Sequence, residues 1–420
     1  MTGPMTTKIP SLATAPWLTA APTQRVLAVL AADGYEGRAV GGVVRNALLG
    51  LPVADIDIAT TAEPPEVMRL ASAAGLGVAE TGIDHGTVTV VADRHAFEVT
   101  TLRRDVSTDG RRAIVAFTRD WAQDAGRRDF TINALYCDAA GHVYDPLGGY
   151  PDLAARRVRF IGDAVARIRE DYLRILRFFR FSAQYGEGPL DAAGLAASTR
   201  ERDGLSRLSP ERIRQEFVRV LVARRAVAHV EAMHSHGILA CVLPAAPRTS
   251  LLARVAAIEA GHGLASDAAL RLAALAVAVV EDVTRLEAAL RLSGEERAVL
   301  RLATVPDAYL QAAPQTSAGK ALLYREGPAN YRRLVILSWA RAISAAPRDH
   351  LWSAALTLPD RWLPPRFPID GGDVMARGLP SGPAVGAALA ELKSWWIAAD
   401  FSPGRVALLE RLDVVLRDRG

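Results

Sequence analysis

Residues 41–60 read GGVVRNALLGLPVADIDIAT, and the reading of this stretch decides the fold. Gly41 and Gly42 make a turn that a second backbone or a ligand can approach closely, and the short helix expected after them offers free N–H groups to an anion. A strand follows in which Asp55 and Asp57 alternate with Ile56 and Ile58. Period two puts both carboxylates on one face and sends the isoleucines into the core. Two carboxylates held side by side repel each other, so a shared cation is the natural reason for the pair. An all-oxygen donor set favours magnesium over zinc. Taken singly, Gly-Gly is an ordinary turn and Asp-x-Asp an ordinary solvated strand end. Joined at this spacing, phosphate at the turn and Mg2+ at the strand make a nucleoside triphosphate site.

The arrangement resembles the signature of the DNA polymerase β nucleotidyltransferase superfamily. Arg45 and Leu48-Leu49-Gly50 narrow the resemblance to the class II CCA-adding tRNA nucleotidyltransferases and their poly(A) polymerase relatives. It implies that Asp55 and Asp57 are catalytic and hold magnesium, and that Gly42 and Arg45 bind nucleotide. Position 46 departs from the pattern, being Asn where that family usually has Asp after the arginine. Asn46 keeps the size and a carbonyl acceptor but loses a charge, so it is assigned no ionic role.

With 420 residues, half of them apolar, the chain can bury more than one core. The net charge of +4 does not announce a nucleic-acid binder, but its distribution is informative. From Arg103 to Arg180 there are 15 Arg against 11 Asp plus Glu, an excess equal to that of the whole chain. Lysine is confined to Lys8, Lys320 and Lys393, so cationic contacts would be guanidinium forks suited to phosphates and base edges. A base-composition bias explains the arginine preference equally well. Cys137 and Cys241 sit far apart among apolar residues and read as buried thiols in a reducing cytosol. The N-terminus lacks a continuous apolar stretch, and the longest apolar run, Leu272 to Val280, is too short to span a bilayer. A cytoplasmic protein without a membrane role is expected.

Helical periodicity is expected from Pro22 to Asp33, a strand over Arg38 to Val40, and a helix opening at Ala62-Glu63-Pro64-Pro65. Strand patterns follow at Gly77 to Thr81, Thr87 to Ala92 and Ala96 to Leu102. The segment Arg103 to Trp121, with Asp109-Gly110 inside it, reads as a surface loop. In the family that the chain resembles, a flexible loop here helps the site switch from CTP to ATP. From about Asp152 onward almost everything is helical. The expectation is therefore an α+β chain: a polymerase β-like head of small mixed sheet plus helices, then an all-α neck, body and tail. The boundaries read as a lead over 1–22, head 23–150, neck 151–221, body 222–330 and tail 331–420.

Arg127-Arg128-Asp129-Phe130-Thr131-Ile132-Asn133-Ala134 is chemically a site for ribose and phosphate, although a structural salt bridge explains Arg-Asp as well. The string resembles a family motif whose second arginine, here Arg128, contacts the nucleotide. Asp129 is a candidate acceptor for a ribose hydroxyl. Asp145-Pro146-Leu147-Gly148-Gly149 resembles the element joining head to neck. Glu98 and Asp145 both stand as candidates for a third carboxylate.

One helix is expected over Ile168 to Tyr185, IREDYLRILRFFRFSAQY, with Asp171, Arg174, Arg177 and Arg180 recurring every three residues. An ordinary amphipathic helix with an Asp–Arg pair and a basic stripe has the same pattern. The sharper reading is a protein template for the incoming base. A carboxylate accepts from the exocyclic amine of cytosine or adenine and a guanidinium donates to ring acceptors, whereas uracil and guanine present a carbonyl to the carboxylate. Glu170 to Arg174 resembles the family's base-recognition motif, and Arg177 and Arg180 its further nucleotide-contacting arginines. Leu208 to Ile213 starts a helix with Ser209 as cap and Pro210 at its first position. It resembles the neck motif in which Glu211, Arg212 and Glu216 are structural. Phe367 to Val374 and Gly378 to Gly386 resemble the tail of bacterial members; Gly382-Pro383 there reads as a seat for a tRNA phosphate or a plain helix cap. Trp395-Trp396 reads as packing.

The resemblance implies template-independent addition of C, C and A from CTP and ATP to the 3′ end of tRNA, with contacts to the tRNA elbow. A poly(A) polymerase or an A-adding enzyme is the alternative within the class. A catalytically silent RNA-binding protein is the alternative outside it, against which the intact Asp pair speaks. A P-loop NTPase is excluded because Gly319-Lys320 lacks a glycine-rich lead and is followed by Ala321. No His-Asp dipeptide occurs, so a fused phosphohydrolase is not expected.

Overall fold

The computed structural model describes residues 8–108, 113–305 and 317–417. The chain divides into two units, Met1–Val242 and Leu243–Gly420. As expected, a small mixed sheet with helices comes first and helices make up the remainder.

In the first unit the strands are β1 (Gly37–Val40), β2 (Asp57–Thr60), β3 (Gly77–Gly82), β4 (Thr87–Ala92), β5 (His95–Thr101), β6 (Arg103–Thr108), β7 (Ala113–Phe117), β8 (Tyr136–Cys137) and β9 (Val143–Tyr144). A seven-stranded sheet has the order β3-β4-β5-β2-β1-β8-β9. Only its β2–β5 pair is parallel, with Asp57 opposite Glu98. Helices Ala21–Leu30 and Pro64–Ala73 pack on this sheet, the second started by proline at a position whose N–H would be unbonded anyway.

Two expectations about local structure are corrected here. The β2 strand starts at Asp57, so Asp55 lies in the segment before it, and alternation stops at Ile58 because Ala59 and Thr60 are buried as well. Beyond its first residue this central strand has no solvent side. Within the segment Arg103 to Trp121, residues Arg103–Thr108 and Ala113–Phe117 are not loop but the paired strands β6 and β7, followed by helix Trp121–Gly126 capped by Asp120. Its β-branched residues satisfy their backbone groups by pairing with each other as a separate two-stranded sheet. Asp109-Gly110 lies outside the described residues, as does the start of the lead, residues 1–7.

The expected long helix is also corrected. It is broken into Ala164–Glu170 and Leu173–Tyr185, with Asp171 extended between them at φ −156° and ψ 108°. Asp171 Oδ1 accepts from the Leu173 N–H at 3.1 Å, a local side-chain bond that competes with helix continuation. Arg174, Arg177 and Arg180 keep their spacing on the second helix, but Asp171 is not on that face. Phe130 from the head, and Phe160 beyond it, pack on Phe178 and Phe181 of this helix with ring centroids 5.3–6.4 Å apart. Such a cluster fixes the helix against the head and so fixes the site between them.

Helix Pro210–Val222 begins at Ser209 as expected, although the Ser209 hydroxyl makes no capping bond. In the second unit the capping box is realised, Ser293 and Glu296 each accepting from the other's N–H. Arg254 donates to the carbonyls of Trp339, Ala340, Ala342 and Ala345, satisfying the C-terminal end of helix Ser317–Arg341. That helix is kinked at Gly327-Pro328. Trp396 is buried with Val374, Leu392, Leu408 and Leu412 in a tail core, with Trp395 packed against it.

Candidate nucleotide site

A cavity of about 480 Å³ in the first unit is lined by Gly42, Arg45, Asp57, Arg128, Asp171, Arg174 and Arg177 among the residues expected from sequence. Asp55 and Arg180 do not line it. Residues from four separate stretches therefore meet: the glycine turn, the start of β2, the Arg-Arg-Asp segment and the helix after the break.

Gly41 adopts φ +70°, a conformation that favours glycine, and a Cβ there would sit 3.6 Å from Arg128 Nη1. Beneath the turn, Arg45 is buried to 6% exposure. It donates through Nε and Nη2 to Asn46 Oδ1, through Nη1 to Asn133 and through Nη2 to the Tyr185 hydroxyl. Burial pulls its pKa below the usual arginine value, opposed by Tyr185.

Asp57 is exposed at the cavity. Partial burial of its carboxyl, then the charges of Glu98 and Asp55, raise its pKa, with Arg128 pulling the other way. Of the two further carboxylates, Glu98 is the register partner of Asp57. Asp145 instead accepts the N–H groups of Gly149 at 2.7 Å and Tyr150 at 2.8 Å and holds a turn. Among the described residues no group of three His, Cys, Asp or Glu side chains is gathered as a ready-made metal cage. The donors at hand, Asp57 with Glu98 opposite and Asp55 two residues before, are all carboxylate oxygens. They suit a hard cation that completes its shell with phosphate oxygens and water.

Asp124, missed at the sequence level, organises the arginines. Its side chain is 1% exposed and takes Arg127, Arg128 and the Tyr136 hydroxyl at 2.8–3.0 Å. Burial alone would raise its pKa, but Arg128, Arg127 and the Tyr136 bond together hold it below the usual carboxylate range. The signal was present in the i, i+3 and i, i+4 spacing of Asp124 to Arg127 and Arg128. Asp129 is likewise buried and likewise depressed, because against its burial stand Arg177 and the donors Asn133 and Phe130 N–H. Its oxygens are thus already engaged, which limits it as a ribose acceptor.

The remaining expected residues are also paired internally. Asp171 accepts from Arg212 at 2.7 Å, Arg174 of helix Leu173–Tyr185 donates to Glu170 at 2.5 Å, and Arg180 reaches Glu216 at 2.5 Å while lying over the Phe181 ring. Arg212 and Glu216, both on helix Pro210–Val222, therefore hold Asp171 at the break and Arg180 on helix Leu173–Tyr185.

Comparison with known proteins gives the family of the chain. A family model described as the poly A polymerase head domain matches residues 37–159, and one described as a probable RNA and SrmB-binding site of polymerase A matches residues 190–248. The mitochondrial CCA tRNA nucleotidyltransferase 1 of Mus musculus is 34% identical over 372 residues, covering 88% of this chain and 84% of that protein. That of Homo sapiens is 33% identical over 381 residues, covering 90% and 86%. The crystal structure of the Bacillus stearothermophilus CCA-adding enzyme in complex with CTP superposes with a TM-score of 0.74 at 27% identity, covering 95% of this chain and 98% of that one. Among the described residues no helix is long and apolar enough to cross a membrane. With a third of its residues identical across most of both chains, the protein belongs to the CCA tRNA nucleotidyltransferase family.

Proposed function

We propose that this chain adds C, C and A to the 3′ end of tRNA from CTP and ATP, without a nucleic-acid template and with release of pyrophosphate. The observation that carries the reading is the single cavity in which a phosphate-compatible glycine turn, Asp57 and the Asp171–Arg174 pair meet, in a chain of this family. Asp55 and Asp57, with Glu98 beside them, would hold two Mg2+ ions. The chemistry magnesium supplies when bound is a lowered pKa at the primer 3′-hydroxyl and charge compensation at the leaving pyrophosphate. The chain's own residues position and select. Gly42 lets the phosphates approach, and Arg45 and Arg128 orient triphosphate and sugar. Asp171 accepts from the exocyclic amine while Arg174 donates to the base; Arg177 lines the cavity beside them, and Arg180 would reach the nucleotide only by exchanging Glu216 for it. Base entry then exchanges the internal partners Arg212 and Glu170 for the nucleotide. We assign residues 23–150 to the head, 151–221 to the neck, 222–330 to the body and 331–420 to a tail that binds tRNA. The free thiols Cys137 and Cys241 suit a reducing compartment such as the cytoplasm.

Three tRNA transcripts ending before CCA, after C and after CC, incubated with Mg2+ and labelled CTP, ATP or both, test the reading. Completion of all three to CCA followed by a stop is the expected result. Addition of A to the CC-ended transcript alone would make it an A-adding enzyme. Long A tails would make it a poly(A) polymerase, the reading favoured by the description of the head-domain model.

A further inference from the structure

Arg45 differs from the other arginines of the cavity in what it is bonded to. Arg127 and Arg128 pair with Asp124, Arg174 with Glu170, Arg177 with Asp129 and Arg212 with Asp171. Arg45 donates to Asn46, Asn133 and Tyr185, all of them neutral acceptors. Among the described residues it is the one cavity arginine with no ion pair to a carboxylate. Its Nη2 lies 3.7 Å from where a Cβ on Gly42 would stand, directly under the glycine turn.

Asn46 decides this. A carboxylate of the same size at this position would accept the same two N–H bonds from Arg45 and cancel its charge. The amide leaves that charge without a directly bonded carboxylate, Asp129 standing one residue away behind Asn133, and it uses its other end too: Asn46 Nδ2 donates to the Pro52 carbonyl at 2.9 Å, on the segment that leads to Asp55. An aspartate cannot make that bond and would set two acceptors against each other.

We propose that Asn46 is a positioning residue that tunes the cavity for a polyphosphate: a neutral clamp that keeps the Arg45 charge available beneath the glycine turn and ties the Asp55 segment to the same helix. The proposal rests on the nucleotide-site reading above. Because the other cavity arginines already have carboxylate partners, the unpaired guanidinium sets the attraction for a phosphate chain more than its number among six would suggest. A buried charge acts in a lower dielectric than its solvated neighbours.

The test measures binding of inorganic tripolyphosphate, CTP and cytidine to the full chain without metal or tRNA, for the parent, Asn46→Asp and Asn46→Ser. Asn46→Asp should weaken tripolyphosphate and CTP about tenfold, the scale of one charge compensated in a partly desolvated site, and leave cytidine unchanged. Asn46→Ser, a neutral acceptor, should stay within about twofold of the parent for all three ligands, as expected when no charge changes. Tripolyphosphate binding by Asn46→Asp equal to the parent's would overturn the proposal while leaving the nucleotide site intact. Equal loss of cytidine would also overturn it, in favour of a purely structural role. A parent that binds neither CTP nor tripolyphosphate would overturn the site reading itself.

Discussion

Replacing Asp124 by Asn tests whether the arginines of the cavity are held by one buried charge. The substitution keeps the size but turns one acceptor oxygen into a donor facing Arg127, Arg128 and the Tyr136 hydroxyl, which are donors themselves. Removing one partner of a fully buried pair costs about 3–5 kcal/mol. The Arg127 and Arg128 side chains are 16% and 19% exposed, so they can turn partly to water, which places the expected loss near the lower end, about 3 kcal/mol. In urea, at a slope of about 2–3 kcal/mol per M, the midpoint of the first unit's transition should fall by about 1 M with the slope unchanged. Tyr136→Phe, which removes a single bond to the same carboxylate, should cost about 1 kcal/mol. A loss under about 1 kcal/mol for Asp124→Asn would refute the argument that this carboxylate carries the arginine pair.

Further outcomes follow from the same geometry. Asp55→Ala and Asp57→Ala should each abolish nucleotide incorporation and leave tRNA affinity within about twofold, since neither side chain is among the cations that meet phosphates; near-parental turnover would remove the metal assignment. Asp57→Asn should in addition be no less stable than the parent, because partial burial and then the charges of Glu98 and Asp55 disfavour the ionised carboxyl; its exposure limits the gain to under about 1 kcal/mol. Asp171→Ala should admit UTP and GTP in single-nucleotide incorporation assays, and unchanged rejection of both would end its role in base choice. Asp124 and Asp129 both have pKa values depressed in the fold, so their stabilisation is complete above the unfolded carboxylate value, about 4, and is lost as pH falls through the lower folded values. Urea midpoints should therefore drop below about pH 4 in the parent and drop less in Asp124→Asn.

The sequence by itself determined the class of fold and the chemistry on offer. Carboxylates after a glycine pair, an Arg-Arg-Asp string and arginines every three residues are local patterns, and the chain keeps Asp57 at the start of a strand and Arg174, Arg177 and Arg180 on one helix, while Asp55 and Asp171 fall outside those elements. Strand β4 runs from Thr87 to Ala92 as expected, and the capping box at Ser293 is made by the residues that spell it. What only the tertiary structure decided is which of these groups meet and what each is already bonded to. Asp171 leaves the helical face where its own carboxylate accepts from the Leu173 N–H, and Arg180 turns to Glu216 away from the cavity. The hairpin formed by β6 and β7 depends on pairing between segments whose letters read equally well as a loop. Asp124 becomes a hub only once Tyr136, twelve residues on, is folded over it. Local propensity acts over a few residues, whereas burial and partner choice are set by contacts between distant stretches; a side chain's type is therefore legible in the sequence, and its charge state and aim are not.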